Sequence, residues 1–304
     1  NFGELIAQLL KLLKKNKNFS LITNSNVKLI NYKNNNVFEV VVDKNKKYFS
    51  EKVFLGAGGM TINLLQNMGI NEINGYGGFP ISGKWLACRN KKIIKKHSCK
   101  VYSQAFPGAP SMSIPHLDKR VINDKEILLF GPFAGFTTKY LINGSIFDLF
   151  KSIKLNNLGT FSNVFLRNLN LSIYLIKQAF MSHRAQMKQL KMFYPDAKES
   201  DWEMITAGQR VQIMKKNLDN KGEITFGTEI IFSKKDNFSA LLGASPGAST
   251  SCHIMIQILK QIYEGKDLSK KLKKISPSYG VDFNKNTNLL KKLRKKIYKN
   301  IKLL

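Results

Sequence analysis

Twice along this chain an apolar extended segment runs into a cluster of small residues and then into a helix, and that repeated order constrains the fold more than any other feature. In the first case the segment Lys47 to Leu55 leads into Gly56-Ala57-Gly58-Gly59 and a helix from Thr61 to Met68, stopped by Gly69. In the second, Ile224 to Leu242 reads as two strands joined by Lys234 to Asn237, and turns through Gly243 to Ser249 into a helix from Thr250 to Tyr263. A strand, a glycine turn and a helix form the geometry of a nucleotide-binding corner, because the first amides of the helix are free and its dipole favours negative charge there. The first corner satisfies only the first half of GxGxxG, since Thr61 occupies the sixth position, and no acidic residue follows at the spacing that grips a ribose. A tight strand-to-helix turn of any α/β protein is the alternative reading.

Around these corners the periodicity changes along the chain. Phe2, Leu5, Ile6, Leu9, Leu12 and Leu13 fall on one helical stripe. Leu21 to Ile30, Val37 to Val42 and Lys47 to Leu55 read as a β-meander, with Asn34 to Asn36 and Asp43 to Asn45 as turns. Between Gly75 and Met214 the sequence predicts strands over Ser98 to Gln104, Ile127 to Phe130 and Gln209 to Ile213. It predicts helices over Leu169 to Tyr194 and over Asp201 to Ala207, the latter from the capping box of Ser200 and Glu203. Leu289, Leu290, Leu293, Ile297, Ile301 and Leu304 line one side of a terminal helix whose other side is lysine, the pattern of either a core-docked helix or a membrane-surface helix.

Composition removes several classes. The 304 residues are 43% hydrophobic, enough for a packed core. Cys88, Cys99 and Cys252 contain no CxxC pair, so neither a disulfide framework nor a structural zinc site has ligands enough, and no metal site is expected. No apolar run approaches the ~18 residues that span a bilayer. A net charge of +29 invites a nucleic-acid reading, but only six of the 49 basic residues are arginine and 29 residues are asparagine. Lysine and asparagine inflated together fit base composition better than a phosphate-reading surface, so no nucleic-acid partner is expected; a basic nucleic-acid binder stays as the alternative from another class.

The second glycine turn, Gly243, Ala244, Ser245, Pro246, Gly247, Ala248 and Ser249, lets a ring system approach the backbone at a helix start. A reduced flavin acquires negative charge near its N1 and C2 carbonyl, which such a dipole end stabilises. Two corners separated by a long insertion fit a flavoprotein interrupted by a substrate domain, with Gly56, Ala57 and Gly58 as the first set of cofactor contacts.

Gly75-Tyr76-Gly77-Gly78-Phe79-Pro80-Ile81-Ser82-Gly83, Pro115-His116-Leu117-Asp118, Leu129-Phe130-Gly131-Pro132-Phe133-Ala134-Gly135-Phe136, Ala207-Gly208-Gln209-Arg210-Val211-Gln212 and Leu242 to Thr250 follow one another in a fixed order. Together they closely resemble malate:quinone oxidoreductase, and the resemblance extends from Asn1 through Pro277-Ser278-Tyr279-Gly280. It implies an FAD-dependent enzyme that oxidises malate to oxaloacetate, reduces a membrane quinone, serves the tricarboxylic acid cycle and lies in the cytoplasm, peripheral to the inner face of the membrane. It also implies an α/β fold of the amino-acid-oxidase-like flavoprotein type, with an α+β substrate domain built on a mixed sheet. The expected division is residues 1–74 and 222–265 for a partial FAD-binding domain, 75–221 for the substrate domain, and 266–304 for a basic amphipathic segment. The family's complete FAD fingerprint would lie upstream of Asn1, so the chain reads as part of a longer protein and is expected to be inactive by itself; a non-catalytic fragment is the alternative.

Malate has two carboxylates and a secondary alcohol, so its oxidation needs cationic clamps and a base. Arg210, which strand alternation places with Gln212 opposite Val211 and Ile213, can bind a carboxylate bidentately, or else hold the sheet in an ion pair. Arg120 is the second clamp candidate, in a segment that reads as a loop. His116 is the base candidate, in the same loop, where Asp118 could orient its ring; a local hydrogen bond is the plainer role. Tyr76, Gln212 and Lys84 complete the expected substrate contacts.

Overall fold

The computed structural model describes residues 2–33, 37–104, 114–122, 124–233, 237–243, 247–264 and 266–300. The chain opens with α1 (Phe2–Leu13), β1 (Val27–Lys33), β2 (Val37–Val42), β3 (Lys47–Ser50), β4 (Val53–Leu55) and α2 (Thr61–Met68). It continues through β5 (Gly77–Cys88), α3 (Lys91–Lys95), β6 (Lys100–Tyr102), β7 (His116–Ile122), β8 (Lys125–Phe136), α4 (Asp148–Ser152), α5 (Leu158–Arg167), α6 (Leu169–Ala179), α7 (His183–Lys191), β9 (Trp202–Lys216) and β10 (Gly222–Thr225). It ends with β11 (Thr228–Ser233), β12 (Phe238–Gly243), α8 (Gly247–Ile262), α9 (Ser269–Ile275) and α10 (Thr287–Asn300). By backbone contacts these elements fall into two units, Asn1–Cys252 and His253–Leu304.

The meander forms, with β1, β2 and β3 antiparallel in that order, but its first strand is Val27–Lys33 in place of the expected Leu21 to Ile30, and the expected turn Asn34 to Asn36 lies outside the described residues. Its expected third strand, however, is two. Ser50 Oγ donates to the Lys52 carbonyl at 2.7 Å and accepts from the Lys52 amide at 3.3 Å, and the chain bends at Glu51. Residues 53–55 then leave the meander and pair in parallel with β12, which pairs antiparallel with β11. The parallel pairing aligns Leu55 with Ala240, so both glycine turns leave the same end of one small sheet. Helix α2 ends where expected, at Gly69 with φ 70°.

The larger sheet is six-stranded and antiparallel, in the order β10-β9-β5-β8-β7-β6. Its centre is β5, a strand that its glycines and proline disguise in the sequence. The glycines answer to packing: a Cβ at Gly77 would sit 2.7 Å from the Phe161 ring, and one at Gly78 would sit 2.6 Å from the Tyr140 hydroxyl. Further along, Leu86 and Cys88 are fully enclosed together with Phe130 of β8.

Four sequence expectations give way here. The segment expected as a helix over Asp201 to Ala207 is, from Trp202 on, the first part of β9; Trp202 pairs with Cys88 and Met204 with Leu86, and a lone two-turn helix cannot match that long-range pairing and burial. The segment Leu169 to Tyr194 is two helices, because Ser182 accepts a hydrogen bond from the Ala185 amide at 3.3 Å and starts α7 anew. His116 and Arg120 lie on β7 and not in a loop, paired along β8 from His116↔Gly131 to Ile122↔Lys125. The strand expected over Ser98 to Gln104 is shorter, Lys100–Tyr102.

Gly78→Ala should destabilise the protein by about 1–3 kcal/mol, because the added methyl overpacks Tyr140 and Val211. Urea unfolding checks this as a lower midpoint at unchanged slope.

Candidate active site

Two cavities adjoin β9. The first, of about 430 Å³, is lined by Gly58 and Gly59 of the first glycine turn and by Gly243, Gly247, Ala248 and Ser249 of the second. Gly58 takes φ +58°, a conformation that side chains resist. A Cβ at Gly59 would lie 2.5 Å from both the Tyr140 carbonyl oxygen and Val211 Cγ2, so only glycine lets the turn close onto β9. Gly243 is wedged against the Gly227 carbonyl at φ +89°. Gly247 is the first residue of the 16-residue α8, and among the described residues nothing lies within 4 Å of a Cβ added there. Gly56 and Ala57 precede the lining residues in the turn, and Ala244, Ser245 and Pro246 lie outside the described residues.

The second cavity, of about 440 Å³, brings together the three residues expected to act on substrate, His116, Arg120 and Arg210. Arg210 and its neighbour Gln209 line both cavities. Among the described residues β10 pairs only with Ile213 to Lys216 of β9, so the outer edge of β9 at Gln209 and Arg210 borders the glycine-lined space. Strand alternation is as expected: Arg210 stands opposite Ile81 of β5 and Gln212 opposite Phe79. With its amide nitrogen assigned toward two carbonyls, Gln209 donates to Lys139 at 2.8 Å and to Leu141 at 2.9 Å.

His116 is gripped between the rings of Trp85, at 4.8 Å, and Tyr102, at 4.7 Å. Its Nδ1 lies 3.0 Å from the Ile114 carbonyl, which can only accept. Nδ1 therefore carries the hydrogen, and Nε2 of the neutral ring keeps its lone pair. Burial holds the ring's pKa below its usual 6.5, and the positive charges of Lys100 and Arg120 add to the depression against the opposing pull of the Ile114 bond and Asp118.

Asp118 does not orient that ring. Its carboxylate accepts from Arg120 Nε at 2.7 Å and pairs with Lys100 Nζ at 3.2 Å, while the Arg120 guanidinium lies 5.2 Å from the Trp85 ring centre. Burial alone would raise the Asp118 pKa, but the bonds to Arg120 and Lys100 outweigh it and hold the carboxyl below its ordinary value. The Tyr102 hydroxyl and Asp118 raise the Lys100 pKa against its own partial burial. Lys100, Tyr102 and Trp85 are site residues that sequence reasoning missed. The register of β6 on β7 sets Tyr102 opposite His116 and Lys100 opposite Asp118, and Trp85 reaches His116 from β5.

The remaining expected contacts are placed elsewhere. Tyr76 donates to Glu229 at 2.8 Å under Lys215, which also pairs with Glu229 at 2.8 Å, and burial followed by the Glu229 charge pushes its phenol well above the ordinary range. Gln212 is 1% exposed within the sheet, and Lys84 sits mid-strand opposite Phe133 and Thr206; neither is among the described residues that line the two cavities. No group of three or more metal-binding side chains occurs among the described residues.

The order of these features along the chain is that of a known family: a family model described as malate:quinone oxidoreductase (Mqo) matches residues 1–303. The chain belongs to the malate:quinone oxidoreductase family. It is 45% identical over 303 residues to a probable malate:quinone oxidoreductase of Hahella chejuensis, covering 97% of this chain and 61% of that protein. To the corresponding protein of Tolumonas auensis it is 43% identical over 314 residues, covering 100% and 63%. The chain thus spans about three fifths of the length of these relatives of the malate:quinone oxidoreductase family. In fold it is similar to dithionite-reduced L-alpha-glycerophosphate oxidase from Mycoplasma pneumoniae with FAD bound, at TM-score 0.50 and 14% identity, over 84% of this chain and 54% of that one. The mixed α/β architecture is therefore shared with a flavoprotein oxidase.

Because the Asp118 pKa is depressed on folding, its contribution to stability is complete above the ordinary value of 3.8 and is lost as pH falls through the lowered value. Asp118→Asn should therefore be less stable than the parent at neutral pH, with the gap closing below pH 3.8, as read from thermal midpoints across an acid titration.

Proposed function

We propose that this chain carries the substrate site and part of the cofactor site of an FAD-dependent enzyme that oxidises (S)-malate to oxaloacetate and passes electrons to a membrane quinone. In this reading it serves the tricarboxylic acid cycle from a position peripheral to the inner face of the cytoplasmic membrane, residues 75–221 hold substrate, and residues 1–74 with 222–265 hold cofactor. The observation that carries the reading is the junction at Arg210, which lines both the cavity of His116 and Arg120 and the cavity enclosed by the two glycine turns. Family membership supports malate and quinone, and the FAD in the similar oxidase structure supports the cofactor.

The glycine-lined cavity fits such a cofactor. Gly59 cannot accept a side chain, and α8 begins against the cavity at Gly247 to Ser249, which turns the positive end of its dipole to a part of the cofactor that gains negative charge on reduction. FAD bound there supplies the two-electron acceptor for the hydrogen that leaves malate C2.

The chain's own residues do the rest. Arg120 spends its Nε on Asp118, so its terminal nitrogens are turned to substrate in a fixed orientation, and Arg210 offers a second fork from the opposite side. The two hold one carboxylate each and set C2 toward the adjoining cavity. His116 Nε2 takes the hydroxyl proton as the carbon–oxygen double bond forms, and its depressed pKa keeps the ring neutral and ready at pH 7. The cations balance a dianion that enters a partly desolvated space.

Malate-dependent reduction of a soluble dye and of a short-chain quinone, by the protein expressed from its full reading frame, tests the reading; a flavin that malate does not bleach overturns it. Arg210→Ala should lower kcat/KM for malate by ~10²-fold while FAD stays bound, because a bidentate contact orients C2. His116→Ala should slow flavin bleaching in single turnover. It should also abolish the acid limb of the kcat/KM profile, which in the parent falls off below pH 6.5 because the folded pKa lies under that value.

A further inference from the structure

Helix α6 carries an apolar stripe that folding leaves uncovered. Its inner side buries Ser172 and Leu175, and its end packs so closely that a Cβ at Gly135 would come within 3.0 Å of Ala179 Cα. On its outer side Leu169, Ile173, Ile176 and Phe180 recur at i, i+4, i+7 and i+11, and these four are 53%, 48%, 47% and 86% exposed. Leu166, at the end of α5 and 69% exposed, extends the patch. A stripe of this kind on a solvated helix carries polar residues, so its apolar character calls for an occupant.

The charge around it says which. No Asp or Glu occurs between Asp148 and Asp196, while that stretch holds seven Lys and Arg residues, of which Arg167 and Lys177 are exposed beside the stripe. The other amphipathic helices lack the combination. Helix α1 has an exposed stripe with Lys11, Lys14, Lys15 and Lys17 at its end, but it carries Glu4 and its Phe2 lines the glycine-lined cavity, and α10 has lysines but keeps Leu289, Leu290 and Leu293 half-buried. No helix among the described residues is long and apolar enough to cross a membrane, so an apolar stripe with a basic border is matched to the headgroup layer.

The geometry points to α6, together with the end of α5, as the surface that docks on an anionic lipid bilayer. The Leu, Ile and Phe side chains enter the boundary between headgroups and acyl chains, and Arg167 and Lys177 meet the lipid phosphates. The inference rests on the proposed reduction of a membrane quinone, which dissolves in the same layer.

The test is co-sedimentation of the full chain with phosphatidylcholine vesicles that contain or lack phosphatidylglycerol, with helix content and thermal midpoint checked for every variant. Ile173→Glu with Ile176→Glu, and separately Arg167→Glu with Lys177→Glu, should each weaken binding to the anionic vesicles by ~10-fold or more. Removing residues 288–304 should change it by less than about twofold. Parent-like vesicle binding by either folded α6 pair overturns the proposal. So does a self-association of the parent that Ile173→Glu with Ile176→Glu abolishes while vesicles bind nothing, which assigns the stripe to a second copy of the chain. Dye reduction by malate separates the two readings: a parent that binds vesicles through α6 yet does not oxidise malate supports the surface and overturns the enzymatic assignment alone.

Discussion

The pairing of β5 with β8 on one side and β9 on the other is the constraint on which the candidate site depends. The pairing with β9 runs the length of β5 and that with β8 from Ile81 to Cys88, and Gly77 and Gly78 let an aromatic ring and a phenol press directly on the backbone at its start. From that centre the register places Arg210 on one neighbour, and His116 and Arg120 two strands away in the other direction. Three strand spacings separate the backbones of β9 and β7, about 14 Å. Both arginines nevertheless line one cavity between those strands. A slip of one residue in either pairing would turn Arg210 or Arg120 to the other face.

Electrostatics within the site follow from one buried acid. Asp118 is 7% exposed and accepts from Arg120 and pairs with Lys100, so it compensates part of the positive charge while fixing where the remainder is presented. His116 feels the excess: it is pressed between two rings, tied at Nδ1 and surrounded by more positive than negative charge, so it stays neutral. The same two cations that flank Asp118 therefore also disfavour protonation of His116.

The two glycine turns share a cavity for a topological reason. They follow β4 and β12, which lie parallel and adjacent, so their ends leave the sheet together although nearly two hundred residues separate them in sequence. The junction with the cavity of His116 and Arg120 lies at the edge of β9 that β10 leaves unpaired among the described residues, where Gln209 fastens the carbonyls of Lys139 and Leu141, and Arg210 lines both spaces.

Local chemistry was legible in the sequence wherever the neighbours that decide it are near in sequence. The α2 stop at Gly69, the first glycine turn and the alternation of β9 around Arg210 depend on turn residues and periodicities within a few positions. The motif blocks also singled out His116, Arg120 and Arg210, which the sheet gathers into one cavity. Tertiary structure decided what long-range pairing controls. It made a strand of the glycine-rich segment at Gly77 to Gly83 and another from Trp202 on, where a local capping signal competes with pairing to β5. It turned Asp118 from His116 to Arg120 and Lys100, and it admitted Lys100, Tyr102 and Trp85 to the site. Tyr76 shows the converse: its glycine bracket allows a ligand contact or a packed aromatic, and Glu229, 153 residues away, takes its hydroxyl. Which strand lies beside which is set by burial summed over the whole sheet, and no window of sequence contains that sum.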